Sequence, residues 1–163
     1  MNVFQNSDYR IKDNVKIHFD GNIWKYEPEL TIKIKEDIPV YTKENVHLLK
    51  ALTIYLPFWD GEQKIAFFYK YDNQVIGFFN ICSHIKVPLD LDDNRFFNVL
   101  GNIVCKVHGA QFCPKTGMVL SGPARSPLYK LIVQFNNSNH TLVIKGFYHE
   151  SFFNSSSGDN TSL

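Results

Sequence analysis

Residues 80–90 read NICSHIKVPLD and place Cys82 and His84 one residue apart, just before a proline turn. Two interpretations of this pair are open at this point. The cysteine is either a structural thiol beside a surface imidazole, or one of two ligands directed at a common metal centre. The stretch alone fits both, so the decision depends on whether the chain supplies further ligands of the same kind.

A second Cys/His pair follows in CKVHGAQF, where two residues separate Cys105 from His108. Short spacers at turns let neighbouring side chains converge, and two thiolates with two imidazoles suit either tetrahedral Zn²⁺ or an iron–sulfur cluster. A cluster also needs backbone N–H donors and a cover against solvent. The segment GMVLSGPARSPL offers a cover at Gly122 and Pro123, because glycine permits close backbone approach and proline stiffens a loop.

The length and charge of the chain define its general class. A chain of 163 residues matches one domain with one sizeable core. Its formal net charge of +1 gives no electrostatic signal for nucleic acid or an anionic membrane. The N-terminus lacks the apolar core of a secretory signal, and the longest apolar run, around residues 51–59, is too short to span a bilayer. We therefore expect a soluble, cytoplasmic protein, whose three cysteines favour metal binding over a disulfide framework.

Short apolar or alternating runs rich in Val, Ile, Phe and Tyr dominate the chain and predict a mostly β fold. Turn-forming residues between paired runs predict hairpins. The predicted turns lie at Asp20-Gly21, Asp72-Asn73, Gly101-Asn102 and Asn136 to Asn139. One short helix is predicted over residues 42–52, with Thr42 as its N-cap and with Val46 and Leu49 on one face.

Several motifs, in this order along the chain, together resemble a Rieske [2Fe-2S] protein. They are CSH at 82–84, CKVHGAQF at 105–112, KTGMVLSGPA at 115–124 and PL at 127–128. The resemblance implies an all-β, Rieske-like fold of stacked antiparallel sheets with two cluster-binding loops and a Gly-Pro loop. The resemblance covers roughly residues 38–146 and implies a Rieske domain at 38–150. The strand-like runs before it predict an N-terminal β extension at residues 1–37, and the polar end SSSGDNTSL predicts a flexible C-terminal tail at 151–163.

The resemblance also implies the ligands of one [2Fe-2S] cluster per chain. In the family, two cysteines hold one iron and two histidines hold the other, so Cys82 and Cys105 would bind the inner iron, and His84 and His108 the outer iron. Two thiolates and two neutral imidazoles bring the oxidised site to about zero charge. The outer iron is therefore expected to accept an electron readily.

Departures from the family pattern indicate which branch the chain resembles. Val87 and Val107 stand where respiratory-complex members carry a disulfide, and Ala110 and Phe112 stand where those members donate hydroxyl hydrogen bonds to cluster sulfur. The resemblance therefore implies the soluble ferredoxin branch. Fewer donors also predict a reduction potential towards the low end of the Rieske range, roughly −150 mV.

Two expectations concern residues around the ligands. The spacer between His84 and Cys105 is longer than in compact members of the family, and its segment LDLDDNRFF is predicted to form an extra loop. Cys113 is predicted to be a small buried thiol outside the site, because a single unpaired cysteine is more often a packing residue than a ligand.

We expect an electron carrier rather than an enzyme. Such a carrier would take one electron from a reductase and pass it to an oxygenase or similar acceptor, with both partners bound transiently and neither nucleic acid nor membrane involved. Partners would dock at the histidine tip, rimmed by Ile85, Lys86, Pro123 and Arg125. One alternative is a component or fragment of a ring-hydroxylating oxygenase, although the chain lacks a D-x-x-H-x-x-x-x-H pattern for a second iron site. A zinc-stabilised interaction module is the other.

Overall fold

The computed structural model describes Tyr9 and residues 14–83 and 85–149, and nearly all regular structure in them is β. Ten strands follow in chain order: β1 (Lys16–Phe19), β2 (Ile23–Lys33), β3 (Leu52–Pro57), β4 (Gln63–Tyr71), β5 (Gln74–Phe79), β6 (Ile103–Val104), β7 (Gln111–Phe112), β8 (Val119–Ser121), β9 (Tyr129–Asn136) and β10 (Thr141–His149). The predicted all-β class is confirmed. No helix in the described part of the chain is long and apolar enough to cross a membrane.

The strands form two antiparallel sheets. The large sheet has seven strands in the order β1-β2-β10-β9-β5-β4-β3, and the small sheet has three in the order β6-β7-β8. β1 and β2 lie in the predicted N-terminal extension, yet β2 pairs directly with β10, from Lys33 opposite Thr141 to Ile23 opposite Tyr148. The proposed boundary at residue 37 thus falls after a strand of the shared sheet, and the predicted tail at 151–163 lies outside the described residues.

Three of the predicted hairpins form as expected, at Asp20-Gly21, Asp72-Asn73 and Asn136 to Asn139. Asp72 and Asn73 both have positive φ, 51° and 64°, as the tightest hairpin turns require.

The fourth predicted hairpin, at Gly101-Asn102, is only partly formed. A single bridge joins Phe97 to Ile103, and the FFNVL segment is not a regular strand. The side-chain oxygen of Asn98 accepts hydrogen bonds from the N–H groups of Leu100 and Asn102, both at 3.0 Å. Two cross-strand bonds of 2.9 Å remain, from the Asn98 N–H to the Asn102 carbonyl and from the Val104 N–H to the Phe96 carbonyl, so the predicted ladder is shortened and the Asn98 side chain organises the turn.

The helix predicted over residues 42–52 is wrong. Only a 3-10 turn at Val46–Leu48 forms, preceded by Asn45 without a side-chain cap. Residues 42–45 are all exposed, so this segment has no apolar stripe to bury as a helix. Leu52 instead opens β3, whose pairing with β4 begins opposite Phe68.

Two hydrophobic cores lie on opposite faces of β4, because successive side chains of a strand point to opposite sides. Ala66 and Phe68 join the first core, which packs against the N-terminal strands and β10. Phe67 and Tyr69 join the second core, which also contains residues of the small sheet and of the two Cys/His loops. Phe67 stacks on Phe96 with ring centroids 3.8 Å apart. The second core therefore anchors the candidate site to the large sheet.

The small sheet and both Cys/His loops lie in one excursion of the chain, residues 80–128. The chain leaves the large sheet after β5 and returns at β9, and these two strands are neighbours, with Phe78 opposite Lys130. The excursion thus begins and ends at adjacent positions of the sheet.

Candidate metal centre

The first Cys/His loop begins where β5 ends. The Cys82 N–H donates to the Val87 carbonyl at 2.7 Å, and the Lys86 N–H donates back to the Cys82 carbonyl at 2.9 Å. Lys86 takes a left-handed φ of 60° to close this turn. Cys82 is fully buried in the second core, and His84 lies outside the described residues.

The second loop closes in the same way. The Cys105 N–H donates to the Ala110 carbonyl at 2.8 Å, and the Gly109 N–H donates to the Cys105 carbonyl at 2.8 Å. Cys105 is buried, whereas His108 is exposed at the turn. Each loop therefore begins with a buried cysteine, and the second carries an imidazole on the surface.

The structure brings both cysteines into one core, and Lys106 joins the second loop to the segment that follows the first loop. The Lys106 N–H donates to the Leu89 carbonyl at 3.0 Å. The Lys106 ammonium also contacts Asp93 Oδ2 at 2.6 Å. Sequence reasoning left this ion pair unassigned, because partners thirteen positions apart on two loops have no periodic signal.

The segment containing Gly122 contacts both loops. Gly122 has a φ of 92°, and a Cβ placed there would lie 2.7 Å from the Ala110 Cα, so its backbone packs directly on the second loop. The Ser83 hydroxyl donates to the Ser126 carbonyl at 2.5 Å, which connects the first loop to the same segment. The position of this segment agrees with the predicted role of a cover.

The predicted extra loop is present and organised around a buried carboxylate. Asp90 is 2% exposed. Its oxygens accept hydrogen bonds from the Asn80 amide at 3.0 Å, the Asp92 N–H at 3.1 Å and the Asn94 N–H at 2.8 Å. Because Asn80 precedes Cys82 by two positions, the base of the extra loop is attached to the start of the first ligand loop.

Cys113 is half-buried, so its prediction as a buried thiol is wrong. Burial acts to raise the pKa of this thiol, but hydrogen bonds from the Thr116 side chain and from the N–H groups of Lys115 and Thr116 lower the pKa below its usual value overall. Cys113 also begins a turn closed like the other two, with its N–H donating to Met118 and the Gly117 N–H donating back. No histidine lies in this third turn.

The donor set fits a [2Fe-2S] cluster by its chemistry. None of the three cysteines is in a disulfide, and Cys82 and Cys105 are the two that are fully buried. Among the described residues, which leave out His84, no three or more His, Cys, Asp or Glu side chains are gathered into a metal site. The assignment of four ligands therefore remains a prediction.

Comparison with known proteins identifies the domain. The family model for the Rieske [2Fe-2S] domain matches residues 56–136, about half of the chain. The plasma membrane Rieske protein PetC3 from the cyanobacterium Synechocystis PCC 6803 is 22% identical, with 67% of this chain and 99% of that chain covered and a TM-score of 0.44. The soluble domain of Rieske protein II (soxF) from Sulfolobus acidocaldarius is 15% identical, with 90% and 72% covered and a TM-score of 0.41. No curated protein matches. Residues 56–136 of this chain therefore form a Rieske [2Fe-2S] domain, an electron-transfer module that binds a [2Fe-2S] cluster.

Proposed function

We propose that the protein is a soluble, cytoplasmic Rieske ferredoxin that carries one electron at a time from a reductase to an oxygenase or similar acceptor. The observation that supports this most directly is the arrangement of the two loops. Each begins with a buried cysteine and closes with the same two backbone hydrogen bonds, and the second presents His108 to solvent.

In this proposal Cys82 and Cys105 hold the inner iron, and His84 and His108 hold the outer iron. When bound, the cluster supplies one-electron redox chemistry. Burial of the cysteine thiolates excludes water from the inner side, and neutral imidazoles at the outer iron keep the charge of the site low. The exposure of His108 supports an electron path that leaves through the imidazole face.

The same arrangement favours a carrier over an enzyme. One-electron transfer requires a short path to a partner and does not require an acid, a base or a nucleophile. The exposed Lys86, Pro123 and Arg125 and the half-buried Ile85 would border the histidines and form a small docking face. A small interface suits partners that must also dissociate quickly.

The test of the ligand set is a purification of the full chain without air. We expect a red-brown protein with about two irons and two acid-labile sulfides per chain. Substituting Ser for Cys82 or Cys105 should abolish the cluster, and Ala for His84 or His108 should do the same or change its spectrum. The matched control is C113S, which alters the cysteine of the third turn and should keep the wild-type spectrum. A full spectrum in C82S and C105S would remove these residues from the site.

The test of the carrier role is single-turnover reduction. The cluster-loaded protein is first reduced by a flavin reductase from its own organism. An oxygenase from that organism should then reoxidise it, and an unrelated acceptor protein of comparable potential should not. Failure with every oxygenase, combined with turnover by a different terminal enzyme, would keep the carrier role and replace the acceptor.

A further inference from the structure

The extra loop extends from the first ligand loop to the second. Its base is fixed by the buried Asp90 through the Asn80 amide. Three of its residues, Leu91, Asp92 and Asn94, have positive φ, so the loop doubles back sharply. Asp93 lies between Asp92 and Asn94, and its Oδ2 meets the Lys106 ammonium. Lys106 follows Cys105 directly, so the loop ends against the residue beside a proposed ligand.

Polar contacts connect the second ligand loop to the extra loop, and the extra loop is attached to the first ligand loop. None of the three cysteines is in a disulfide, so no covalent link joins them. The Lys106 N–H bond to the Leu89 carbonyl and the Lys106–Asp93 ion pair both link the second ligand loop to the extra loop. The Lys106–Asp93 pair, with 2.6 Å between Nζ and Oδ2, joins the residue that follows Cys105 to the extra loop.

We propose that Lys106 and Asp93 form an ionic clasp that holds the second ligand loop against the extra loop, and through its Asn80–Asp90 base against the first ligand loop, and that this clasp slows release of the cluster. The inference rests on the proposed function, because it uses Cys105 as a ligand. Both side chains are assigned as positioning residues, which act on the cluster through the loops that they hold together. Asp93 Oδ1 is occupied separately by the Arg95 N–H at 2.9 Å, which leaves Oδ2 directed to Lys106.

The size of the effect follows from the exposure of the pair. The two side chains are 28% and 46% exposed, so water screens their attraction. Exposed ion pairs contribute little free energy, and we expect the loss of this pair to accelerate cluster release about two- to five-fold. High salt should remove the difference, since the Debye length falls to about 3 Å at 1 M ionic strength.

The experiment measures cluster loss from the full, loaded chain in the presence of an iron chelator, by the decay of visible absorbance. D93N and K106M should lose the cluster faster than wild type at low salt and at a similar rate at 1 M salt. The charge-swapped double variant D93K/K106D should recover part of the difference. The matched control is D20N, which breaks the exposed Lys25–Asp20 pair of 2.9 Å on the β1–β2 hairpin and should leave the rate unchanged.

Equal rates of cluster loss for wild type, D93N and K106M at low salt would overturn the clasp. The proposed function would still stand in that case, because the visible spectrum would show that the chain binds the cluster. A wild-type chain without a cluster would instead contradict the proposed function. The clasp is then measured in the unloaded chain by hydrogen exchange at the Lys106 N–H, which D93N should accelerate and D20N should not. Unchanged exchange in D93N would overturn the clasp independently of the cluster.

Discussion

At the residue scale, the three cysteines differ in burial but share one pattern of backbone hydrogen bonds. Each begins a turn closed by the same pair of hydrogen bonds. Glycine closes the second and third turns, at Gly109 and Gly117, whereas Lys86 closes the first in the left-handed region. Residue type alone predicted the candidate ligands, because the Cys/His pairs are short and local. The half-burial of Cys113 was not predictable, because it depends on packing between segments distant in sequence.

Two buried positions of the second ligand loop and β7 bear on the reduction potential. Ala110 and Phe112 are fully buried and offer no hydroxyl, and the nearby Ser83 hydroxyl already donates to Ser126. We expect a potential of roughly −150 mV, and a higher value in the variant A110S/F112Y, because added donors stabilise the reduced cluster.

Protein-film voltammetry on wild type and A110S/F112Y measures this difference. The control is A51S, a buried alanine of the second core outside the loops, which should leave the potential unchanged. A wild-type midpoint well above zero would show that backbone donors or other groups compensate, contrary to the expectation.

At the scale of elements, local turn chemistry predicted three of the hairpins well. Tight hairpin turns require positive φ values, and Asp72 and Asn73 are of the few residue types that adopt them. The failures have non-local causes. β7 and β8 have two and three residues, too few for a periodic pattern. The segment predicted as a helix ends where β3 pairs with β4. A sequence pattern read over neighbouring residues does not detect that pairing, because the partner strand lies further along the chain.

The contact between Gly122 and the second ligand loop leads to a prediction for these elements. The variant G122A should be destabilised by about 1–3 kcal/mol from the positive φ alone, and further by the clash with the Ala110 backbone. G61A is the matched control, since Gly61 has a similar φ of 88° but open space around its Cβ position. Chemical denaturation of both variants measures the difference, and equal losses would mean that the segment does not press on the loop.

At the scale of the whole molecule, the formal net charge is close to zero, so local features must direct partners. We expect I85E and K86E to slow electron delivery to the acceptor without changing the cluster spectrum, because both alter the proposed docking face. K16E, on the edge strand β1, is the comparison for the N-terminal strands. Stopped-flow rates decide between the two faces. Normal rates for I85E and K86E with slow transfer by K16E would place the partner on β1 and β2.

The excursion of residues 80–128 leaves and rejoins the large sheet at the neighbouring strands β5 and β9. A segment whose two ends already lie side by side can be exchanged without moving the strands that flank it. For protein engineering, the large sheet is thus a scaffold and residues 80–128 are a replaceable segment. A foreign cluster-binding segment with the same span between its ends, and with apolar residues where Phe96 and Phe112 pack, is a rational graft for tuning redox behaviour on an unchanged scaffold.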